Sequence, residues 1–201
     1  VIKVIFCDLG GVLLTNGWDH AERGVAVQHF KLDLVEFSKR HEMVFSGYEE
    51  GKMTMDDYLH FTVFHIPRPF SKADFKSFMK EQSKKLPDML EALGRVKKKN
   101  NVRVFCLSNE GRELGDYRIR KFKLRTIMDT FIVSGFVGMR KPSLELYNLA
   151  INLAQVKPDE ALYIDDREVL IEAGQLAGLA TICHKSPEET LKEMEKYGLH
   201  V

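Results

Sequence analysis

A chain of 201 residues has room for one core domain, or for a core with a small insertion. At 44% hydrophobic and 29% charged it is a globular sequence rather than a disordered one, and a formal charge of +1 gives no global pull toward nucleic acid or an anionic membrane. No apolar run reaches membrane-spanning length, no signal-peptide pattern opens the chain, and Cys7, Cys106 and Cys183 sit singly in apolar runs, so the expectation is buried thiols in a reducing, cytoplasmic setting.

The first predicted strand is VIKVIFC, which runs directly into an ionisable residue, Asp8, followed by Leu9, Gly10 and Gly11. Residues 16–85 then carry helical patterning (Val35 and Phe37; Tyr58, Phe61 and Thr62; Phe75, Phe78 and Met79), with Pro67 and Pro69 breaking the segment. This interval is expected to be a helical insertion placed on an α/β core made of residues 1–15 and 86–201. Beyond it, short apolar runs alternate with helical ones. The runs are Val102–Leu107, Phe131–Ser134, Ala161–Ile164 and Ala180–Cys183. The helical segments are Pro87–Lys99, Ser143–Ala154, Glu168–Ala177 and Pro187–Tyr197. Leu90, Leu93 and Val96 mark the inner face of the first helical segment; Leu146, Leu149, Ala150 and Leu153 mark that of the second. In the third the inner face is read as Leu170, Ile171, Ala173 and Leu176. Continuous rather than alternating strands, separated by helices, predict a parallel sheet covered on both faces.

In such a sheet, ligands gather beyond the carboxyl ends of the strands. There the sequence places Asp8, Ser108-Asn109-Glu110, Arg140-Lys141-Pro142 and Asp165-Asp166. Each alone is an ordinary turn, cap or surface residue; together they are chemically coherent. Carboxylates at Asp8 and Asp166, with carbonyl oxygens nearby, suit a hard cation such as Mg²⁺. Ser108 and the N–H group after it, at the start of a helix, suit phosphate oxygens, and Lys141 can neutralise both a nucleophilic carboxylate and a phosphoryl group. A dianion held this way is open to in-line attack by a carboxylate, giving a covalent intermediate that water resolves.

The motifs FCDLGGVLL, LSN, GMRKP and YIDD, in this order and spacing, resemble those of the haloacid dehalogenase-like (HAD) hydrolases over the whole chain. The resemblance implies a Rossmann-like sheet in the order 3-2-1-4-5, with the insertion as a small helical cap. It implies Asp8 as nucleophile, Ser108 and Asn109 as phosphate site and Lys141 as neutralising cation. For Mg²⁺ it implies the Asp166 side chain and the Gly10 carbonyl, with Asp165 behind them or acting through water. It further implies a small phosphorylated metabolite, such as a sugar phosphate, as the partner, and neither nucleic acid nor membrane.

Two positions depart from the usual family pattern. Gly10 stands where most of its phosphatases carry a second Asp that protonates the leaving group, a function typically worth ~10²–10⁴ in rate. Leu170 stands where a polar residue often supports the metal. A phosphatase lacking that Asp should favour good leaving groups or borrow a proton donor from the cap, with His20 and Glu22 close enough in sequence to be candidates. Two alternatives use the same residues: a catalytically weak or inactive scaffold that binds a phosphorylated ligand or a protein, and a metal-free dehalogenase, for which the Asp165-Asp166 pair has no use.

Overall fold

A computed structural model describes residues 1–201, Pro87 by its backbone alone. Strands β1 (Val4–Cys7), β2 (Arg103–Ser108), β3 (Thr130–Val133), β4 (Ala161–Asp165) and β5 (Ala180–Cys183) form one parallel sheet in the order β3-β2-β1-β4-β5. The expected order therefore holds, with β1 at the centre. Alternate residues of β1 explain why its run is unbrokenly apolar. Ile5 and Cys7 enter one buried cluster, with Leu90, Leu93 and Val96 of α5 (Pro87–Asn100) and Met194 of α10 (Pro187–Lys196). Val4 and Phe6 enter another, with Leu146, Tyr147 and Ala150 of α8 (Leu144–Ala154) and Ile171 and Ala173 of α9 (Glu168–Leu176). Each such large side chain, fully buried, contributes about 1.5–3 kcal/mol.

Helices α1 (His20–His29), α2 (Leu34–Glu49), α3 (Met55–Thr62) and α4 (Lys72–Glu81) follow β1. Each starts at a side-chain cap, supplied in turn by Asp19, Asp33, Thr54 and Ser71, which satisfies N–H groups of the first turn. They enclose an aromatic cluster of their own that includes Trp18, Phe37, Tyr58 and Phe75; Leu114 of α6 (Arg112–Lys121) joins it from the sheet side. The chain leaves and returns through one junction. Leu14 bridges Lys85, Thr15 N–H donates to the Lys84 carbonyl at 2.9 Å, and Leu86 N–H donates to the Leu13 carbonyl at 2.9 Å.

Three details differ from the sequence reading. Of helix α6 only a start after Ser108 was expected and not its extent, because its apolar stripe is thin: beside Leu114 and Ile119, the inward-facing Arg118 takes a core position, 1% exposed, as the ion-pair partner of Glu110 at 2.7 Å. Leu153 and Leu176, expected inside, face solvent. On α8 Leu146 and Ala150 face inward as expected, and Tyr147, Ile151 and Ala154 widen that face.

Candidate active site

Register brings the site together. Cys7 pairs with Cys106 on one side and with Ile164 on the other, so the next residue, Asp8, is level with Leu107 and Asp165. Its N–H still donates to the Ile164 carbonyl at 3.0 Å, which extends the ladder by one residue and aims the side chain beyond the sheet. The carboxylate accepts from Leu9 N–H at 2.8 Å and lies 3.3 Å from Lys141 Nζ.

Lys141 arrives from the loop after α7 (Ser134–Val137) and is 1% exposed. Its ammonium donates to Asp165 Oδ2 at 2.6 Å as well as facing Asp8. Burial acts to drive its proton off, but the Asp8 and Asp165 carboxylates outweigh that and hold the ammonium above its ordinary pKa. The loop that carries it is fixed by a two-way amide clasp. Asn109 Nδ2 donates to the Lys141 carbonyl at 2.9 Å, and Lys141 N–H donates to Asn109 Oδ1 at 2.8 Å. The amide of Asn109, expected at a phosphate, is thus engaged in placing the lysine. Ser108 is buried beside Asp8, whose pKa its hydroxyl helps to lower.

The two adjacent aspartates divide their tasks. Asp165 is fully buried and accepts from Lys141, the Tyr163 hydroxyl and Arg167 N–H. Asp166 is half-buried, and its Oδ1 is enclosed without a hydrogen-bond partner. Burial, then the neighbouring Asp8 and Asp165 carboxylates, push Asp166 up to about 6. Asp8 is raised too, by burial first and by Asp165, against the pull of Lys141. Asp8, Asp165 and Asp166 each offer a carboxylate oxygen within 4.8 Å of the others. Three carboxylates gathered this closely, one of them with an orphaned oxygen, are a donor set that fits a hard cation.

The glycines after Asp8 acquire distinct reasons. A Cβ on Gly11, at φ +69°, would lie 2.1 Å from Asp166 Oδ2, so only glycine admits that carboxylate. At Gly10 the space is already taken, because a Cβ would come within 3.0 Å of Asn16 Oδ1. The acid is absent at this position, and the Asn16 side chain lies beside the backbone.

A cavity of about 420 Å³ opens above Asp8, Gly10, Ser108, Asn109 and Lys141, with walls from α1 and α2. Of the two sequence candidates for a proton donor, His20 reaches its rim, while Glu22 accepts from Asp19 N–H and closes the cap of α1. Trp18 lines the cavity and Leu170 gives it an apolar wall. Glu49 and His41, which the sequence did not single out as site residues, line it as well, as does Arg140 beside Lys141. His41 is buried and accepts from, or donates to, the Tyr58 hydroxyl at 2.9 Å; since Trp18 Nε1 donates to that same oxygen, the phenol proton is free to go to His41.

A family model described as haloacid dehalogenase-like hydrolase matches residues 2–178. The D-ribitol-5-phosphate phosphatase of Bacteroides thetaiotaomicron is 27% identical over 202 residues, covering 90% of this chain and 91% of that protein. Bifunctional epoxide hydrolase 2 of Sus scrofa is 26% identical over 214 residues, covering 97% of this chain but only 38% of the relative, so the chain spans well under half of that protein's length. Among solved structures, a HAD family enzyme from Bacteroides thetaiotaomicron in complex with magnesium and inorganic phosphate superposes with a TM-score of 0.75 at 22% identity, covering 92% of this chain and 95% of the other. A HAD-like family hydrolase from Porphyromonas gingivalis gives a TM-score of 0.77 at 17% identity, covering 98% and 97%.

Proposed function

Because the chain belongs to the haloacid dehalogenase-like hydrolase family, we propose that it is a Mg²⁺-dependent phosphohydrolase acting on a small phosphorylated metabolite through an aspartyl-phosphate intermediate. The observation that carries this reading is the buried Lys141 ammonium, 3.3 Å from an Asp8 carboxylate that lines the cavity. An anionic nucleophile and an anionic phosphoryl group repel each other, and a fixed cation between them removes that repulsion without reorganisation during the reaction. The activity of the D-ribitol-5-phosphate phosphatase relative, which aligns along nearly its whole length, supports a sugar or sugar-alcohol phosphate as the substrate class.

In this proposal Asp8 attacks phosphorus, Lys141 balances the charge, and Ser108 with the N–H groups of the loop after β2 orients the phosphoryl oxygens. Asn109 serves that loop by clasping Lys141, so its contribution to phosphate comes through the backbone. Asp8, Asp166 and the Gly10 carbonyl would hold Mg²⁺, which supplies neutralisation of the phosphoryl charge. Asp165, its oxygens engaged by Lys141, Tyr163 and Arg167, supports the site from behind. Residues 16–85 act as a cap over residues 1–15 and 86–201, closing the cavity from α1 and α2.

The test is phosphate release from a panel of sugar, acyl and aryl phosphates, with and without Mg²⁺, alongside Asp8→Asn. Mg²⁺-dependent turnover that vanishes in the variant is the expected result. Metal and phosphate binding without turnover on any ester would instead support a non-catalytic scaffold.

A further inference from the structure

Resting on the phosphatase reading, we propose that Glu49 is the catalytic acid and base of this site, supplying from α2 the proton transfer that Gly10 cannot.

Placement is the first argument. In-line displacement puts the leaving oxygen on the side of phosphorus away from Asp8, toward the helices that wall the cavity. Glu49 is the last residue of α2 and lines that wall. Its Oε2 is buried and has no hydrogen-bond donor, although Arg140 Nη2 lies 2.9 Å away, off the hydrogen-bond axis. Arg140 immediately precedes Lys141, so the Glu49 contact is one residue from the ammonium that faces Asp8.

Rigidity is the second. The end of α2 is locked to the sheet side at two backbone approaches that only glycines permit. A Cβ on Gly111 would lie 2.3 Å from Tyr48 Cζ, and one on Gly51, at φ +66°, would lie 2.2 Å from the Gly135 carbonyl oxygen. Glu49 lies between these two locks, so a group on an inserted helix is held in fixed relation to Asp8.

Elimination is the third. Among the other acids of the cavity, Glu110 is fastened to Arg118 at 2.7 Å and to Gly111 N–H at 3.2 Å. Asp19 caps α1 and pairs with Arg167 at 2.7 Å, and Glu42 is exposed. His41 is held neutral, because burial lowers its pKa to about 4. Glu49 is enclosed in the cavity wall, and its one close cation, Arg140 at 2.9 Å, makes no hydrogen bond to its Oε2. The charged groups around it are Arg140, Glu110, Arg167 and Lys141, with the Tyr58 and Tyr48 phenols beside them; burial outweighs Arg140 and pushes Glu49 up to about 7. An acid that is half protonated near neutrality suits both halves of the reaction.

The steps balance. As the Asp8 oxygen–phosphorus bond forms, the bond from phosphorus to the ester oxygen breaks, and that oxygen takes the Glu49 proton to leave as an alcohol. Water then attacks phosphorus, gives its proton to the Glu49 carboxylate, and the Asp8–phosphorus bond breaks to release inorganic phosphate.

The experiment compares Glu49→Gln with wild type on 4-nitrophenyl phosphate, whose leaving group needs no proton, and on glycerol 3-phosphate, whose leaving group does. The expected result is a fall in kcat/KM of ~10²–10⁴ for the glycerol ester with the aryl value nearly unchanged. A burst of nitrophenolate ahead of slow steady-state turnover is also expected, since water is no longer activated. The alkaline limb of the wild-type kcat/KM profile on the glycerol ester, with a midpoint near 7, disappears. If Glu49→Gln melts below assay temperature, Glu49→Asp is measured instead and must lower the glycerol ester selectively. Equal losses on both esters, or no loss, overturn the proposal while wild-type turnover keeps the phosphatase reading intact. Absence of wild-type turnover on any ester overturns both.

Discussion

Gly11 and Asp166 occupy one space: a side chain on the glycine would begin 2.1 Å from the carboxylate oxygen it faces. The left-handed φ of +69° at Gly11 adds about 1–2 kcal/mol against any residue with a Cβ. Gly11→Ala is therefore expected to displace Asp166 and to weaken Mg²⁺ binding by about 10–100-fold, the range seen when supports of metal ligands are lost. Calorimetric titration with Mg²⁺ checks this, and unchanged affinity would remove Asp166 from the metal site.

Lys141 is the counter-charge for two buried carboxylates, so its removal should cost stability as well as turnover. Lys141→Met leaves Asp165 and Asp8 facing each other uncompensated, with an expected loss of about 3–5 kcal/mol in urea unfolding. Adding Asp165→Asn to that variant removes one of the stranded charges and should recover part of the loss. A Lys141→Met protein as stable as wild type would mean that the ammonium does not balance the pair.

Two buried groups set opposing pH dependences of stability. His41 titrates near 4 when folded, against 6.5 ordinarily, so the unfolded chain takes its proton first and stability falls on acidification from 6.5 to 4. Glu49 titrates near 7 when folded, against 4.5, so the folded chain keeps its proton longer and stability falls as pH rises from 4.5 to 7. Each effect is worth up to about 3 kcal/mol, and in the wild type they largely offset. Urea melts across pH 4–7 should show the Glu49→Gln variant losing stability toward acid and a His41→Gln variant losing it toward neutrality. Parallel curves for both variants and wild type would contradict the assignment.

The placing of Asp8, Lys141 and Asp165-Asp166 at one rim was legible because short apolar runs mark strand ends sharply, whereas the sheet order was implied only by the resemblance of the motifs to a known family. What was not legible depended on side chains that break the binary pattern. The extent of helix α6 was hidden because Arg118 replaces an apolar residue at an inward position, and its partner Glu110 comes from the loop after a strand. Asn109 carried the right motif, but only the fold shows its amide clasping Lys141. Gly10 announced a missing acid, yet the presence of Asn16 beside it depends on a turn that no spacing rule describes. Glu49 is the clearest case. In sequence it is one of two adjacent glutamates before a glycine, and only the docking of the α2 terminus against Gly111 and Gly135 turns one of them inward.

The central claim is that Asp8 becomes phosphorylated. The most direct measurement is mass spectrometry of peptides from enzyme quenched in acid during turnover of 4-nitrophenyl phosphate with Mg²⁺. The account predicts a phosphoryl adduct confined to the peptide carrying Asp8, enriched in Glu49→Gln and missing in Asp8→Asn. Turnover that persists in Asp8→Asn, or an adduct on a different residue, would contradict it.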